Sequence, residues 1–275
     1  ANRLVTYYLK TSRTNIALYE VQNMLKEAQK EDDKTGLSRC YNIMSQIYTI
    51  KRFDSMAFEW RLKEIELTEK YNIENYNISQ TYAQIANYYI NQKKQKEALR
   101  AVEKAISTAN SSTQQISAKL EYVNYYSKFS DFQAAEKILK ECQIAFEQDK
   151  RLESIKKRLY NIECLYYQQT RQYQKALEAA EMQEKEEHRL SESILSSSHY
   201  RTQGEIYQKM GNMNMAVKYL QMYINTDDSL KIANEQVASS EFATLLNVEK
   251  LNAEKKELML QAQEKELHNK TTLII

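Results

Sequence analysis

The sequence contains no proline and only three glycines among its 275 residues. These two residue types interrupt regular structure and supply most tight turns, so their scarcity leaves few places where a long helix would break. Hydrophobic residues make up 42% of the chain and charged residues 28%, which is enough apolar surface for a packed core. The composition therefore predicts an all-α protein.

A surplus of charge of one sign is also missing. The chain has 39 basic and 37 acidic residues, and the resulting net charge of +2 gives no general attraction to nucleic acid or to an anionic membrane. The three cysteines, Cys40, Cys142 and Cys164, form no CxxC pair and no metal-spaced set. Because Cys142 and Cys164 fall on predicted packing faces, we interpret them as small core residues.

Motifs for catalysis and cofactor binding are absent as well. The histidines His188, His199 and His268 have no ligand spacing, and the sequence contains no GxSxG motif, no HExxH motif and no glycine-rich phosphate loop. Paired carboxylates such as Glu186 and Glu187 lie in polar runs, which are typical of solvated loops and caps. We therefore predict that the chain is not an enzyme and that it has no cofactor and no metal site.

What the sequence does contain is one unit repeated six times. Tyrosines recur at intervals of 40, 41, 37, 41 and 40 residues, and each is followed nine residues later by an alanine. The tyrosines are Tyr8, Tyr48, Tyr89, Tyr126, Tyr167 and Tyr207, and the alanines are Ala17, Ala57, Ala98, Ala135, Ala176 and Ala216. A small or slim residue also precedes each tyrosine by three positions. These spacings place the residues on one helical face, so each unit is predicted to be a helical hairpin that stacks on its copies.

The order of these residues resembles the tetratricopeptide repeat, and the resemblance covers residues 1 to about 226. It implies a right-handed superhelical solenoid of about six hairpins over residues 1–228, with a truncated first repeat. Two features differ from the family. The period of 37 to 41 residues is longer than the usual repeat of about 34 residues. The second copy also carries Arg61 and Glu64 where the other copies are mostly apolar.

A change in composition follows the repeats. Residues 225–229 are predicted to end the array, and residues 229–275 to form a long helix that caps the open end through Phe242. Half of a coiled-coil pattern runs along this helix, at Leu246, Ala253, Leu260, Leu267 and Ile274. A homodimer through the helix is therefore one hypothesis. The apolar end of the sequence, TTLII, is either a frayed terminus or the first turn of a membrane span that continues after Ile275.

The resemblance also implies where a ligand would bind. In the family, the first helices of the hairpins line a concave groove, which is reached by side chains six before, two before and one after the repeat tyrosine. Here these positions hold Asn42, Gln46, Thr49, Asn87, Asn124, Ser127, Asn161, Gln168, Arg201, Glu205 and Gln208. Amide side chains both donate and accept hydrogen bonds, so this set could hold an extended peptide backbone. The alternative is that these amides only face water.

The resemblance leads to three functional hypotheses. The first is a non-catalytic protein or peptide binding module that forms the sensor part of a signal-transduction or transcription-regulatory protein. An array of this length followed by a charged helix and TTLII resembles the sensor part of membrane-anchored signalling proteins from Bacteroidetes, and this resemblance favours the periplasmic side of a bacterial inner membrane. The second hypothesis is a soluble scaffold or adaptor, and the third is a cytoplasmic peptide-responsive regulator. No helix-turn-helix unit is evident, so we expect no direct nucleic-acid binding by this part of the protein.

Overall fold

The computed structural model describes residues 2–190 and 197–272, without the side chains of residues 2, 187–190 and 265–272. The described residues form twelve α-helices and one 3-10 helix, Lys150–Ile155, which confirms the all-α prediction. The α-helices are α1 (Asn2–Lys10), α2 (Thr14–Lys30), α3 (Lys34–Ile50), α4 (Asp54–Tyr71), α5 (Ile78–Asn91), α6 (Gln95–Ser107), α7 (Ser112–Lys128), α8 (Phe132–Gln148), α9 (Lys156–Gln169), α10 (Tyr173–Leu190), α11 (Ser198–Lys209) and α12 (Met213–Thr272).

The helices pair in chain order into six hairpins, from hairpin 1 (α1 and α2) to hairpin 6 (α11 and α12). Each hairpin packs on the next one along the chain, as in a solenoid. The apolar core is accordingly a series of clusters, each of which joins neighbouring hairpins. This arrangement confirms the six repeats that the tyrosine and alanine spacing predicts.

One backbone turn closes all six hairpins. The N–H five residues after each repeat tyrosine donates to the tyrosine carbonyl at 2.8–3.0 Å. The residue before that N–H has a φ between 56° and 78°; these residues are Ser12, Arg52, Lys93, Ser130, Arg171 and Gly211. The N–H of the repeat alanine then donates to a carbonyl four residues earlier at 2.9–3.1 Å, which begins the second helix. The interval of nine residues from tyrosine to alanine is therefore set by the geometry of this turn.

The repeat alanines are buried near the start of the second helix of each hairpin. Their exposed fractions are 0–3%, whereas the repeat tyrosines are half-buried beside them. A methyl side chain lets two helix backbones approach, and the tyrosine ring fills the space next to the contact. The cysteines Cys40, Cys142 and Cys164 are also buried, and burial raises the pKa of each thiol, to about 12 for Cys142. The interpretation of Cys142 and Cys164 as core residues is confirmed.

Helix α12 differs from the sequence expectation. Residues 225–229 are predicted to end the array, but they lie inside this helix, which is continuous from Met213 to Thr272. The stretch contains no proline or glycine. Within the helix, Gln221 Nε2 donates to Asn225 Oδ1 at 3.0 Å and Ser229 Oγ donates to the Asn225 carbonyl at 2.9 Å, while Asp227 Oδ1 accepts from Ser197 Oγ at 2.9 Å. No turn marks residue 228, and a domain boundary there stays a prediction.

The prediction that Phe242 covers the open end of the solenoid is wrong. The Phe242 side chain is 64% exposed, so it does not cover the end of the solenoid. Leu246 and Leu260, which belong to the incomplete coiled-coil pattern, are exposed as well. Dimerisation through these residues stays a prediction. In the part of the chain that the structure describes, no helix is both long enough and apolar enough to cross a membrane. Residues 273–275, where a span is suggested to begin, lie outside the described residues.

The turn geometry predicts that Lys93→Gly raises the free energy of unfolding by about 0.5–1 kcal/mol. A left-handed φ is strained for a residue with a Cβ atom and is unstrained for glycine. Lys93 has a φ of 56°. The matched control is Arg100→Gly at an exposed position inside α6, which should lower the same free energy by about 1 kcal/mol. Urea denaturation measures both. Equal destabilisation by the two substitutions would contradict the left-handed turn.

Candidate functional site

The first helices of the hairpins do not pack evenly along the solenoid. Helix α7 packs directly against α5 and α9, whereas among the described residues α3 has no comparable contact with α1 or α5, and α9 has none with α11. Two pockets open where these helices part. Pocket A, of about 640 Å³, lies between α1, α3 and residues 73–77. Pocket B, of about 660 Å³, lies between the end of α3, the start of α4 and α5.

Pocket A has an amide-rich wall. Asn42 and Gln46 of α3 line it together with Asn75 and Tyr76 of the loop before α5. Gln46 Nε2 donates to Asn42 Oδ1 at 2.6 Å, and Gln114 Nε2 of α7 donates to the Tyr76 carbonyl at 2.7 Å, which holds the loop in place. The Tyr76 ring is 69% exposed. Pocket A therefore presents amide groups beside an open aromatic surface.

A buried carboxylate supports pocket A from below. Glu64 of α4 is 1% exposed, and it accepts hydrogen bonds from Asn42 Nδ2 at 3.1 Å, Asn75 Nδ2 at 2.9 Å and Thr81 Oγ1 at 3.3 Å. Burial raises the pKa of Glu64, and these hydrogen bonds partly offset the rise. The donors come from α3, the loop and α5. Glu64 consequently fixes the position of the amides that line pocket A.

A buried guanidinium takes the corresponding place in pocket B. Arg61 of α4 is 6% exposed; its Nε donates to Gln84 Oε1 at 2.8 Å and its Nη2 to Thr49 Oγ1 at 2.6 Å. Burial lowers the pKa of Arg61, and the charges of Glu64 and Asp54 oppose this shift. Both hydrogen-bond acceptors are uncharged groups, one on α3 and one on α5. Arg61 thus bridges the gap between these two helices at the wall of pocket B.

Pocket B combines an amide pair with apolar side chains. Asn91 Nδ2 donates to Asn87 Oδ1 at 2.9 Å along α5, and both residues line the pocket. Tyr88, the residue after Asn87, also lines the pocket, and its ring stacks on the Phe58 ring with the two centroids 4.0 Å apart. Phe53, also in the lining, is 52% exposed. Pocket B therefore presents fixed polar groups beside an aromatic surface, a combination that ligand sites use.

Four of the predicted groove residues lie at these pockets: Asn42, Gln46, Thr49 and Asn87. Two others occupy less open positions. Asn124 is half-buried, and its Nδ2 donates to Glu121 Oε2 at 3.3 Å. Ser127 is 3% exposed and donates to the Val123 carbonyl at 2.6 Å, so it offers no surface to a ligand.

The remaining predicted residues lie further along the solenoid, away from both pockets. Asn161 and Gln208 are exposed, and Gln168 Oε1 accepts from Lys209 Nζ at 3.1 Å. Arg201 Nε donates to Glu205 Oε1 at 2.8 Å in an exposed pair. These residues extend the polar surface of the first helices, but the structure does not bring them together with pockets A and B.

Several residues of the two pockets are not among the predicted set: Arg61, Glu64, Asn75, Gln84 and Asn91. Arg61 and Glu64 are polar residues at repeat positions that are elsewhere mostly apolar, and this departure was the feature of the sequence that could have identified them as site residues. Asn75 lies in a loop outside the repeat pattern, so no periodicity could identify it. Among the described residues, no group of three or more histidine, cysteine, aspartate or glutamate side chains could hold a metal ion.

Comparison with solved structures confirms the fold. NprR in complex with its cognate peptide NprX has a TM-score of 0.62 at 14% identity, over 88% of this chain and 68% of that chain. A Rap protein complexed with competence and sporulation factor has a TM-score of 0.57 at 16% identity, over 91% and 74%. A tetratricopeptide repeat protein from Parabacteroides merdae ATCC 43184 has a TM-score of 0.57 at 14% identity, over 87% and 82%. No protein-family model and no curated protein matches the sequence.

These similarities define the class of protein to which the architecture corresponds. The chain has the fold of a tetratricopeptide-repeat solenoid, as its repeat pattern predicts. At identities of 10–16% the similarity describes the fold alone. The ligand has to be inferred from the residues of the chain itself.

The buried Glu64 predicts a characteristic pH dependence of stability. The pKa of Glu64 is higher in the folded protein than in the unfolded chain. Glu64 therefore stabilises the fold fully at a pH below its pKa in the unfolded chain, and this stabilisation is lost as the pH rises through its pKa in the folded protein. Glu64→Gln does not titrate at this position. We therefore expect the variant to be least stable relative to the parent at about pH 4 and to recover relative stability towards about pH 7. Urea unfolding at the two pH values measures the difference.

Glu69→Gln on the same helix is the control, and the expected dependence has the opposite sign. Tyr82 Oη and Lys104 Nζ donate to Glu69 Oε1 at 2.6 and 3.1 Å and lower its pKa. The stability contributed by Glu69 is therefore present above its unfolded pKa and lost as the pH falls. The cost of Glu69→Gln should be larger at about pH 7 than at about pH 4, although small because the side chain is solvated. The same slope for both variants would contradict the burial of Glu64.

Proposed function

We propose that the chain is a non-catalytic module that binds an extended peptide, or an extended segment of a protein partner, along pockets A and B. The observation that carries this proposal is the gap on both sides of α3. Where the first helices part, the space is lined by amide groups held in fixed positions by Arg61 and Glu64. Fixed polar groups bind a ligand with less loss of conformational entropy than mobile ones.

The chemistry of the lining suits a peptide backbone. An extended peptide presents N–H and C=O groups along its length, and an asparagine or glutamine side chain can satisfy either one. Asn42, Gln46, Asn87 and Asn91 follow one another along α3 and α5 with such groups. The exposed Phe53 ring beside them can receive an apolar side chain of the peptide. Backbone contacts of this kind supply affinity, and side-chain pockets supply specificity.

The solved structures support a ligand of this class. NprR was solved with its cognate peptide NprX, and the Rap protein with competence and sporulation factor. Both share the repeat fold with this chain, and both similarities span most of its length. A peptide or a protein segment is therefore the ligand that we propose for pockets A and B.

We further propose a regulatory role, in signal transduction or transcription. Helix α12 is the second helix of hairpin 6 and continues without a break to Thr272. A change in the curvature of the array therefore moves residues far from the last hairpin contact. A ligand changes that curvature if it binds more tightly to a conformation with one distance between α3 and α5 than to a conformation with another distance. Attachment to a membrane beyond Ile275 and a periplasmic location remain part of this proposal.

The amide pair of pocket B supplies the test. We expect Asn87→Ala combined with Asn91→Ala to weaken peptide binding by about tenfold or more, because backbone hydrogen bonds to the peptide are lost. The two side chains hydrogen bond to each other, so their joint removal leaves no buried partner unsatisfied. The probe is a fluorescent peptide selected from a random library on the parent protein. Its affinity is measured by fluorescence anisotropy.

The matched control is Gln221→Ala combined with Asn225→Ala. These amides form the same type of pair one helical turn apart, with 3.0 Å between Gln221 Nε2 and Asn225 Oδ1, on an exposed face of α12. The control should bind the peptide as the parent does, and both double variants should melt close to the parent. Unchanged affinity in the Asn87 and Asn91 variant, or a library that yields no binding peptide, would refute pocket B as the site.

A further inference from the structure

A buried glutamate on α12 connects the C-terminal helix with the first hairpin. Glu241 is 3% exposed. Its Oε1 accepts from the backbone N–H groups of Asn15 and Ile16 at 3.0 and 3.4 Å, and its Oε2 accepts from Asn15 Nδ2 at 2.6 Å. The two partners are 226 residues apart in sequence. The N-terminal turn of α2 therefore holds a carboxylate supplied by the other end of the chain.

The site on hairpin 1 is built around this carboxylate. Lys51, the residue after α3, donates from Nζ to Asn15 Oδ1 at 2.6 Å, which turns the Asn15 amide so that Nδ2 faces Glu241. The N-cap residue of α2 is Arg13, whose side chain makes no capping hydrogen bond. Exposed N–H groups and the helix dipole favour an anion at this end of a helix.

The contact is not needed for α2 to form. Helices α4 and α6 begin after the same turn, with Phe53 and Lys94 as N-cap residues, and neither has a side-chain cap. These two helices form in the same array without a side-chain acceptor at the cap, although each has an acidic residue, Asp54 or Glu97, in its first turn. A side-chain cap is thus not required for the second helix of a hairpin to form, and the consequence of the Glu241 contact is the placement of α12 against α2.

The rest of the contact between α12 and hairpin 1 is small. Val237, Leu245 and Val248, which lie on the same helical face as Glu241, are only half-buried. Residues 231–236 of α12 are exposed, as is Phe242. From Met213 to Glu241 the helix spans ~42 Å, and it packs on α11 near one end and on α2 near the other. A polar anchor with a narrow apolar border is the type of contact that can open and close.

We propose that the first turn of α2, with Asn15 and Lys51, is a docking site for a carboxylate carried on a helix, and that its occupant is Glu241 of the same chain. The docked helix closes the array by joining hairpin 6 to hairpin 1. Its release frees α12 beyond hairpin 6 as a single helical arm. This proposal does not rest on peptide binding in pockets A and B, and it can be tested on the protein without a ligand.

The docking site and the pockets share structural elements. Lys51 follows α3, whose side chains line both pockets, and Arg52 next to it lines pocket B. A shift of α3 therefore also moves Lys51 and the Asn15 amide that it orients. If the proposed peptide function holds, ligand binding and docking of α12 influence each other reciprocally. Only this connection depends on the proposed function.

The test is amide hydrogen exchange at Asn15 and Ile16, measured by NMR on the whole chain. We expect Glu241→Ala to accelerate exchange at both amides by about tenfold or more, because their acceptor is removed. The rates should then resemble those of Ser55 and Met56, which occupy the same positions in the uncapped α4. Glu249→Ala, at an exposed position of α12, is the control and should leave the rates at their parent values. Unchanged exchange in Glu241→Ala would overturn the proposal.

A double-mutant comparison protects the test against a general loss of structure. Asn15→Ala should release α12 as well, and combining it with Glu241→Ala should accelerate exchange at Ile16 no further than Glu241→Ala alone does. Additive effects of the two substitutions would show that they act independently and would refute the docking site. Faster exchange at Ser55 and Met56 in these variants would identify global destabilisation, which also contradicts a releasable contact.

Spin-label distances test the release of the helix. Cysteines introduced at Gln22 and Asn247, both exposed, would be labelled selectively, because the native thiols are buried and their pKa values are raised. We expect one narrow distance distribution in the parent and in Glu249→Ala, and a broad one in Glu241→Ala. Dilution with unlabelled protein should leave the parent distribution unchanged. Its loss on dilution would show that Glu241 docks on a second copy, which contradicts docking within one chain.

Discussion

The hydrogen bond from the residue five after each repeat tyrosine to the tyrosine carbonyl sets the geometry on which the whole array depends. It reverses the chain in all six hairpins and places the buried repeat alanine in the first turn of the second helix. Only the sixth turn has glycine in the left-handed position, at Gly211. The other five residues are held in that conformation by the packing of the helices on either side, as is common for strained positions in a well-packed structure.

Residues that depart from the repeat pattern line the candidate site. Helix α7 packs directly on α5 and on α9. In hairpin 2, Arg61 and Glu64 replace apolar residues and reach across to Thr49, Gln84, Asn42 and Asn75 through hydrogen bonds. These hydrogen bonds bridge α3 and α5, which have no comparable direct contact. Positions where a sequence breaks its own structural pattern are frequently functional, and here they line both pockets.

Local features were predictable from the sequence, and contacts between distant residues were not. The six hairpins follow from spacing within each repeat, and Asn42, Gln46, Thr49 and Asn87 reach the pockets as family geometry implies. Ser127 occupies an equivalent repeat position but is buried, because α7 packs directly on α9 there. The docking of Glu241 on α2 could not be foreseen. It joins residues 226 positions apart, and an acidic residue in a charged helix carries no sign of burial.

The central claim is that pockets A and B bind an extended peptide, and side-chain amide NMR tests it most directly. The asparagine and glutamine NH₂ groups give their own resonances, so a titration with a library-selected peptide reports on each of them. The account predicts large shifts for Asn42, Gln46, Asn87 and Asn91, with little change for Gln221 on α12. Shifts confined to Gln221 or to the second helices of the hairpins would place the peptide elsewhere and contradict the assignment.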